Sequence, residues 1–201
     1  MALLTVFTPA YNRASTLPRT YQSLCEQECK DFIWLIVDDG SSDNTRELVE
    51  GWKNQDNGFE IQYIYKKNGG MHTAHNVAYE NIHTELNVCI DSDDRMAEGA
   101  VKKIKTAWLK ARNKNYAGLI GLDADMNTGR IIGKGFPNGL KETTLGGYYA
   151  SGGEGDKKLV YRTDVINSVP PYPVFEGEKY VGLVYKYTLI AVSYTHLRAH
   201  E

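Results

Sequence analysis

The stretch Val88-Cys89-Ile90-Asp91-Ser92-Asp93-Asp94 constrains the fold more than any other, because an apolar run stops abruptly in a set of carboxylates. A short run that is apolar on both faces suits a strand buried in a parallel sheet. Open α/β sheets bind ligands outside the carboxyl ends of such strands. If the chain continues extended, Asp91 and Asp93 point to the same side. Like charges that close need a cation or strong donors between them. Hard divalent ions such as Mg2+ or Mn2+ take carboxylate oxygens together with substrate phosphates. The spacing therefore points to a metal, held by Asp91 and Asp93, that carries a phosphorylated ligand; a solvated acidic turn capping the next helix is the alternative.

The same texture recurs upstream. Residues 3–8 read as a first strand ending at Thr8-Pro9, and residues 31–37 as a second ending in Asp38-Asp39-Gly40-Ser41-Ser42-Asp43. Residues 60–65 form a third before Lys66-Lys67-Asn68-Gly69-Gly70. Helices are expected between them: from a cap at Ser15 or Thr16 to about residue 29, over residues 44–54, and over residues 71–82. This alternation predicts a mostly parallel sheet wrapped by right-handed crossovers. Downstream, residues 95–115 read as the longest helix, with Val101, Ile104, Trp108 and Leu109 as its buried stripe. Residues 116–122 read as a strand leading into Asp123-Ala124-Asp125, whose second Asp-x-Asp is expected to serve a turn and not a metal. Residues 135–155, rich in Gly and Tyr, are expected to be loops and short strands. A strand at 159–162 and a helix at 179–187 complete the reading.

At 201 residues the chain suits one domain with a sizeable core. Its 23 basic and 25 acidic residues give a net charge of −2, which excludes a broad nucleic-acid footprint. No apolar run approaches the roughly 18 residues of a membrane span. Cys25, Cys29 and Cys89 lack the accompanying ligands of a metal site and read as reduced thiols, consistent with the cytosol. Residues 193–201 match neither element type and are expected to be a non-native tail, with the natural protein continuing differently.

Taken in order, Thr8-Pro9-Ala10-Tyr11-Asn12-Arg13, Val37-Asp38-Asp39-Gly40-Ser41-Ser42-Asp43-Asn44-Thr45, Asn68-Gly69-Gly70 with Ala74 and Asn76, and Asp91-Ser92-Asp93-Asp94 resemble a family 2 glycosyltransferase of the GT-A fold. The match is tight over residues 3–95 and looser through Gly155-Asp156-Lys157 and Phe175-Glu176-Gly177-Glu178-Lys179. It implies a Rossmann-like, mostly parallel sheet flanked by helices in a single domain, 1–192, with a nucleotide-sugar-binding half at 1–95 and a variable acceptor-side half at 96–192. It also implies a nucleoside-diphosphate sugar donor, UDP-linked by preference, and transfer with inversion to a glycan or lipid-linked acceptor. Thr8, Pro9 and Tyr11 then line the nucleoside, Arg13 lies near the phosphates, and Asp39, with Asp38 behind it, accepts from the base. Asn68, Gly70 and Asn76 approach the ligand, Asp91 and Ser92 lie by the ribose, and Asp93 with Asp91 ligates Mn2+ or Mg2+.

Inversion needs a general base facing the acceptor hydroxyl. The family supplies an acid from a Glu-Asp pair, whereas this chain has Glu178-Lys179; Glu178 is the expected base and Glu176 the runner-up. Asp156 and Lys157 are expected on the acceptor side, Arg162 near phosphate, and His72 and His75 as structural. The place implied is the cytoplasm, peripheral at the inner face of the cell membrane, with any contact made through a segment absent from this chain. A non-catalytic nucleotide-sugar-binding fragment is the competing reading.

Overall fold

The computed structural model describes residues 2–194 and the backbone of residues 197–199. One eight-stranded sheet runs through both halves of the chain in the order β3-β2-β1-β4-β7-β5-β8-β6. Its strands are β1 (Leu4–Ala10), β2 (Phe32–Asp38), β3 (Glu60–Tyr65), β4 (Leu86–Cys89), β5 (Gly118–Leu122), β6 (Glu142–Thr143), β7 (Lys157–Arg162) and β8 (Leu197–Ala199). The first four pair in parallel, as their crossovers require. β7 breaks the pattern: it is antiparallel to both β4 and β5, so those two still run in the same direction.

The buried strands are apolar on both faces because both are covered. From β1 and β2, Leu4, Val6, Phe32, Trp34 and Ile36 face α1 (Leu17–Cys25), α2 (Thr45–Lys53) and α4 (Ala100–Ala111). The alternate residues Phe7, Leu35 and Val37 face α3 (Met71–Asn81), with α5 (Leu145–Ala150), α6 (Thr163–Asn167) and α7 (Val184–Ser193) extending that layer. Tyr21 stacks on Trp52 at 4.3 Å between ring centroids, beside Trp34, locking α1 and α2 to the sheet.

Three elements depart from the sequence reading. The long helix begins at Ala100, not residue 95, because side chains of α1 and of the loop after it take over the backbone before it. Ser23 Oγ accepts from Met96 N, Gln27 Nε2 donates to Ala97 O, and Gly99 turns left-handed at φ 66°. Residues 135–155 contain α5, capped by Thr144 Oγ1 accepting from Gly147 N at 2.9 Å. It carries the fully buried Tyr148, whose ring lies where a Cβ on Gly153 would sit.

The expected helix at 179–187 is displaced to 184–193. Leu183, Tyr187, Ile190 and Tyr194 recur at helical spacing and pack on the second core layer, leaving residues 174–183 as an irregular strap. Of the suspected tail, 197–199 adds a strand between β5 and β6, while residues 195, 196, 200 and 201 lie outside the described residues. Among the described residues, no helix is long and apolar enough to cross a membrane.

Candidate active site

Polar residues gather where β1, β2 and β4 end and where β7 begins. The loop after β1 is laced to the loop after β2. Asn12 adopts a left-handed backbone (φ 52°) that suits Asn, and its Oδ1 accepts from Ser42 N at 2.8 Å. Asn12 N donates to Ser41 Oγ, Arg13 N to Thr45 Oγ1, and Ala14 N to Asp43 Oδ2. This leaves Tyr11 half-exposed and directs the Arg13 guanidinium to Asp93, 3.9 Å away.

Asp38 and Asp39, expected as the base-reading pair, are both buried and spoken for. Asp38 accepts from Ser41 N at 2.7 Å and from Tyr63 OH at 2.6 Å. Asp39 accepts from Gly69 N (2.9 Å), Gly70 N (2.8 Å), Asn68 Nδ2 (3.1 Å) and the Lys66 ammonium. Its carboxylate thus organises residues 66–70 into a tight loop. Asn68 Oδ1 in turn accepts from Lys179 Nζ at 2.7 Å, which ties the strap to that loop. Gly70 is in the left-handed region (φ 95°), and a Cβ there would lie 2.0 Å from the Lys179 carbonyl oxygen. The loop 66–70 and the strap bearing Glu176 and Glu178 therefore lie against each other at one end of the cleft. Both glutamates are exposed.

After β4 the chain does not stay extended, so Asp91 and Asp93 are not aligned by strand alternation. A turn closes instead, with Asp94 N donating to Asp91 O at 3.0 Å, Thr20 Oγ1 donating to Asp94 O, and Arg19 donating to Asp93 O. Ser92 is buried inside it and Asp93 projects outward. Burial raises the Asp91 carboxyl above the usual range; Lys158 opposes this, and Asp94 and Asp93 add to it. Among the described residues, no three His, Cys, Asp or Glu side chains are grouped as metal ligands. The donor set nevertheless fits a hard divalent cation: Asp91, Asp93 and Asp94 offer only carboxylate oxygens, and their mutual repulsion is what such an ion relieves.

Several residues expected at the ligand are engaged by the protein itself. Thr8 is buried, and its hydroxyl accepts from Trp34 Nε1 at 3.0 Å, so it serves the core. Pro9 is buried within β1 opposite Val37. Asn76 clamps the backbone of Tyr172, donating to its carbonyl at 2.9 Å and accepting from its N–H at 2.8 Å. Arg162 pairs with Asp164 at the far end of β7 and not with a phosphate site. Lys157 donates to the carbonyls of Glu154 and Asp156. A cavity of about 510 Å³ lined by Glu85, Trp108, Arg112 and Arg162 also lies at that far end.

His75 is buried against Phe7 and Tyr79, as expected of a structural histidine. His72 is buried with neither ring nitrogen hydrogen-bonded. Two residues at the cleft were missed, Lys158 and Asp123. The legible signal for Lys158 was a lysine running directly into the apolar stretch Leu159-Val160-Tyr161; Asp123 was grouped with Asp125, which is exposed and accepts from Thr128 N in its own turn.

Comparison with known proteins shows what such a cleft belongs to. The GalNAc(5)-diNAcBac-PP-undecaprenol beta-1,3-glucosyltransferase of Campylobacter jejuni is 28% identical over 123 residues, 60% of this chain and 38% of that protein. S. aureus TarS 1-349 in complex with UDP superposes with a TM-score of 0.68 at 20% identity, over 100% of this chain and 58% of that one. The mannosyltransferase PcManGT from Pyrobaculum calidifontis, in complex with GDP-Man and Mn2+, gives 0.67 at 16% identity over 98% and 53%. These likenesses establish the GT-A fold. The chain spans 38–40% of the length of several curated relatives it matches. The family model described as "Glycosyl transferase family 2" matches residues 5–165, both sides of the cleft included, and the chain belongs to that family.

Proposed function

We propose that the chain carries the donor-binding and catalytic region of an inverting, metal-dependent glycosyltransferase. It moves a hexose or N-acetylhexosamine from a nucleoside-diphosphate sugar, UDP-linked by preference, to a glycan or lipid-linked acceptor at the cytoplasmic face of the cell membrane. The observation that carries this reading is the convergence of Arg13 with Asp91, Asp93 and Asp94 at the end of β4, beside the loop built on Asp39. Relatives and structural neighbours named for nucleotide sugars and undecaprenol-linked acceptors support the substrate classes.

Asp91 and Asp93 would hold the cation, Mn2+ or Mg2+, which when bound neutralises the departing diphosphate. Arg13, at the same carboxylates, adds a fixed positive charge on the diphosphate side. Tyr11, half-exposed on the neighbouring loop, offers its ring to the nucleobase. Glu178 accepts the proton of the acceptor hydroxyl as that oxygen bonds to the anomeric carbon, and the bond from that carbon to the diphosphate oxygen breaks on the opposite face. The strap places Glu178 and Glu176 next to the 66–70 loop, and both are free to meet an acceptor from solvent.

A second reading, donor binding without catalysis, is favoured by Lys179, which stands where the family has an acid and is spent on Asn68. Calorimetric titration with UDP, GDP and dTDP, each with and without Mn2+, tests the donor site. Metal-dependent binding of one nucleotide, lost in Asp93→Ala, is expected, and no binding at all refutes it. Glu178→Gln then separates the readings: transfer collapses with donor binding intact if Glu178 is the base. If the wild-type chain binds donor and transfers nothing, the binding reading holds.

A further inference from the structure

The cleft holds a second set of charges that the metal and diphosphate leave without a task. Because β7 lies antiparallel between β4 and β5, three chain segments reach the same edge of the sheet: the residues after β4, the residue after β5, and the first residues of β7. Gly121 pairs with Lys158 and Leu122 with Lys157, so Asp123 emerges beside the lysine. Both side chains are partly buried, whereas Asp125 two residues on is exposed.

Burial works against the charge on Lys158, and the neighbouring Asp123 carboxylate works for it. Burial likewise raises the Asp123 carboxyl, with Lys158 opposing. Among the described residues no ion pair within 4 Å ties Lys158 to Asp123, Asp91 or Asp94. Its three N–H donors are therefore held near acceptors without being consumed by them.

This charge arrangement selects the kind of group that can bind. With the Asp91–Asp94 carboxylates given to the cation, Lys158 is left opposite Asp123, and this pair carries no net charge, so a diphosphate gains little there and is better served by Arg13. A neutral, hydroxyl-rich ring needs donors and acceptors together, since each hydroxyl both gives and takes a hydrogen bond. We propose that Asp123 and Lys158 form the recognition site for the sugar ring of the donor and discriminate between hexoses by the orientation of their hydroxyls. This rests on the nucleotide-sugar reading above. A hydroxyl pointing the wrong way leaves one of these partly buried groups unpaired, which corresponds to about tenfold in affinity.

The test compares binding of UDP with binding of UDP-glucose, UDP-galactose and UDP-N-acetylglucosamine by calorimetry in Mn2+, for the wild-type chain, Lys158→Met and Asp123→Asn. The expected result is that both variants hold UDP within about twofold of wild type. They lose at least tenfold in affinity for the preferred UDP-sugar, and the preference between UDP-glucose and UDP-galactose narrows. Equal weakening of UDP and UDP-sugar would make Lys158 a diphosphate contact and overturn the proposal, as would unchanged sugar binding in both variants. Should Lys158→Met fail to fold, the isosteric Asp123→Asn decides by the same ratio. A wild-type chain that binds UDP but shows no added discrimination among the sugars sinks this inference alone; one that binds no nucleotide sinks the donor reading with it.

Discussion

Asp39 separates two accounts of the cleft. From sequence it accepts a hydrogen bond from a nucleobase, but in the structure its carboxylate is filled by donors from residues 66–70. Asp39→Asn keeps shape and replaces one acceptor oxygen with an amide donor. If the remaining oxygen keeps Lys66 and Gly69, then Gly70 N at 2.8 Å loses its partner to an NH2 group, and Asn68 Nδ2 loses its 3.1 Å bond while keeping the Asp39 carbonyl at 2.8 Å. Two bonds to a charged acceptor at about 1.5–3 kcal/mol each give a loss of about 3–6 kcal/mol. The rim of the site is partly open, and Lys66 retains Thr73 Oγ1 and the Lys67 carbonyl, so the lower end is expected. With a urea m-value of about 2 kcal/mol/M, a loss of about 3 kcal/mol moves the unfolding midpoint down by about 1.5 M. The measurement is urea unfolding without nucleotide, followed by tryptophan fluorescence. A midpoint unchanged within about 0.3 M, together with lost nucleotide binding, would refute the loop-organising role and restore Asp39 to the base.

Gly70→Ala is expected to destabilise the chain by about 1–3 kcal/mol through its left-handed backbone and to push the strap off the 66–70 loop, since the new Cβ meets the Lys179 carbonyl. Limited proteolysis should then cut within residues 174–183 faster than in wild type, and equal cutting rates would contradict the contact. His75 is held neutral by burial, with Lys186 and His72 adding, and its pKa is lowered to about 3. In the unfolded chain it titrates near 6.5, so between those values only the unfolded state gains the proton, and stability falls as pH drops from about 6.5 towards 3. The slope from this residue approaches about 1.4 kcal/mol per pH unit, and His75→Phe should flatten urea-unfolding stability between pH 6.5 and 4.5 relative to wild type.

The first half of the fold was legible because its physics is local. Runs such as Phe32–Asp38 are apolar on both faces, and the acidic ends and glycine turns mark where each strand stops. The boundaries of β3 were read without error for that reason. The second half depends on partners distant in sequence. The start of α4 is set by Ser23 of α1 and Gln27 just after it, and the helix at Val184–Ser193 by a core layer that includes Tyr161, stacked on Tyr187 at 5.5 Å. Within the candidate site, the motif residues meet at the strand ends, but their side chains do different work there. Asn76 and Thr8 sit in the motif and serve neighbouring backbone and core, because a sequence pattern records that a residue is needed without recording what it touches. Lys158 escaped because only the antiparallel insertion of β7 brings it beside Asp123.

That insertion also sets an order on synthesis. Strands β4 and β5 are consecutive in the chain yet never touch; the slot between them stays open until Lys157–Arg162 has been made. A nascent chain that has reached Leu122 exposes the free edge of β4, with β5 lacking its central neighbour, and such edges recruit other strands. Sealing that slot closes a loop of long sequence separation, which makes it a slow step and the vulnerable interval of folding. The strand that delivers Lys158 to the cleft is thus also the one whose arrival ends the chain's exposure to mispairing.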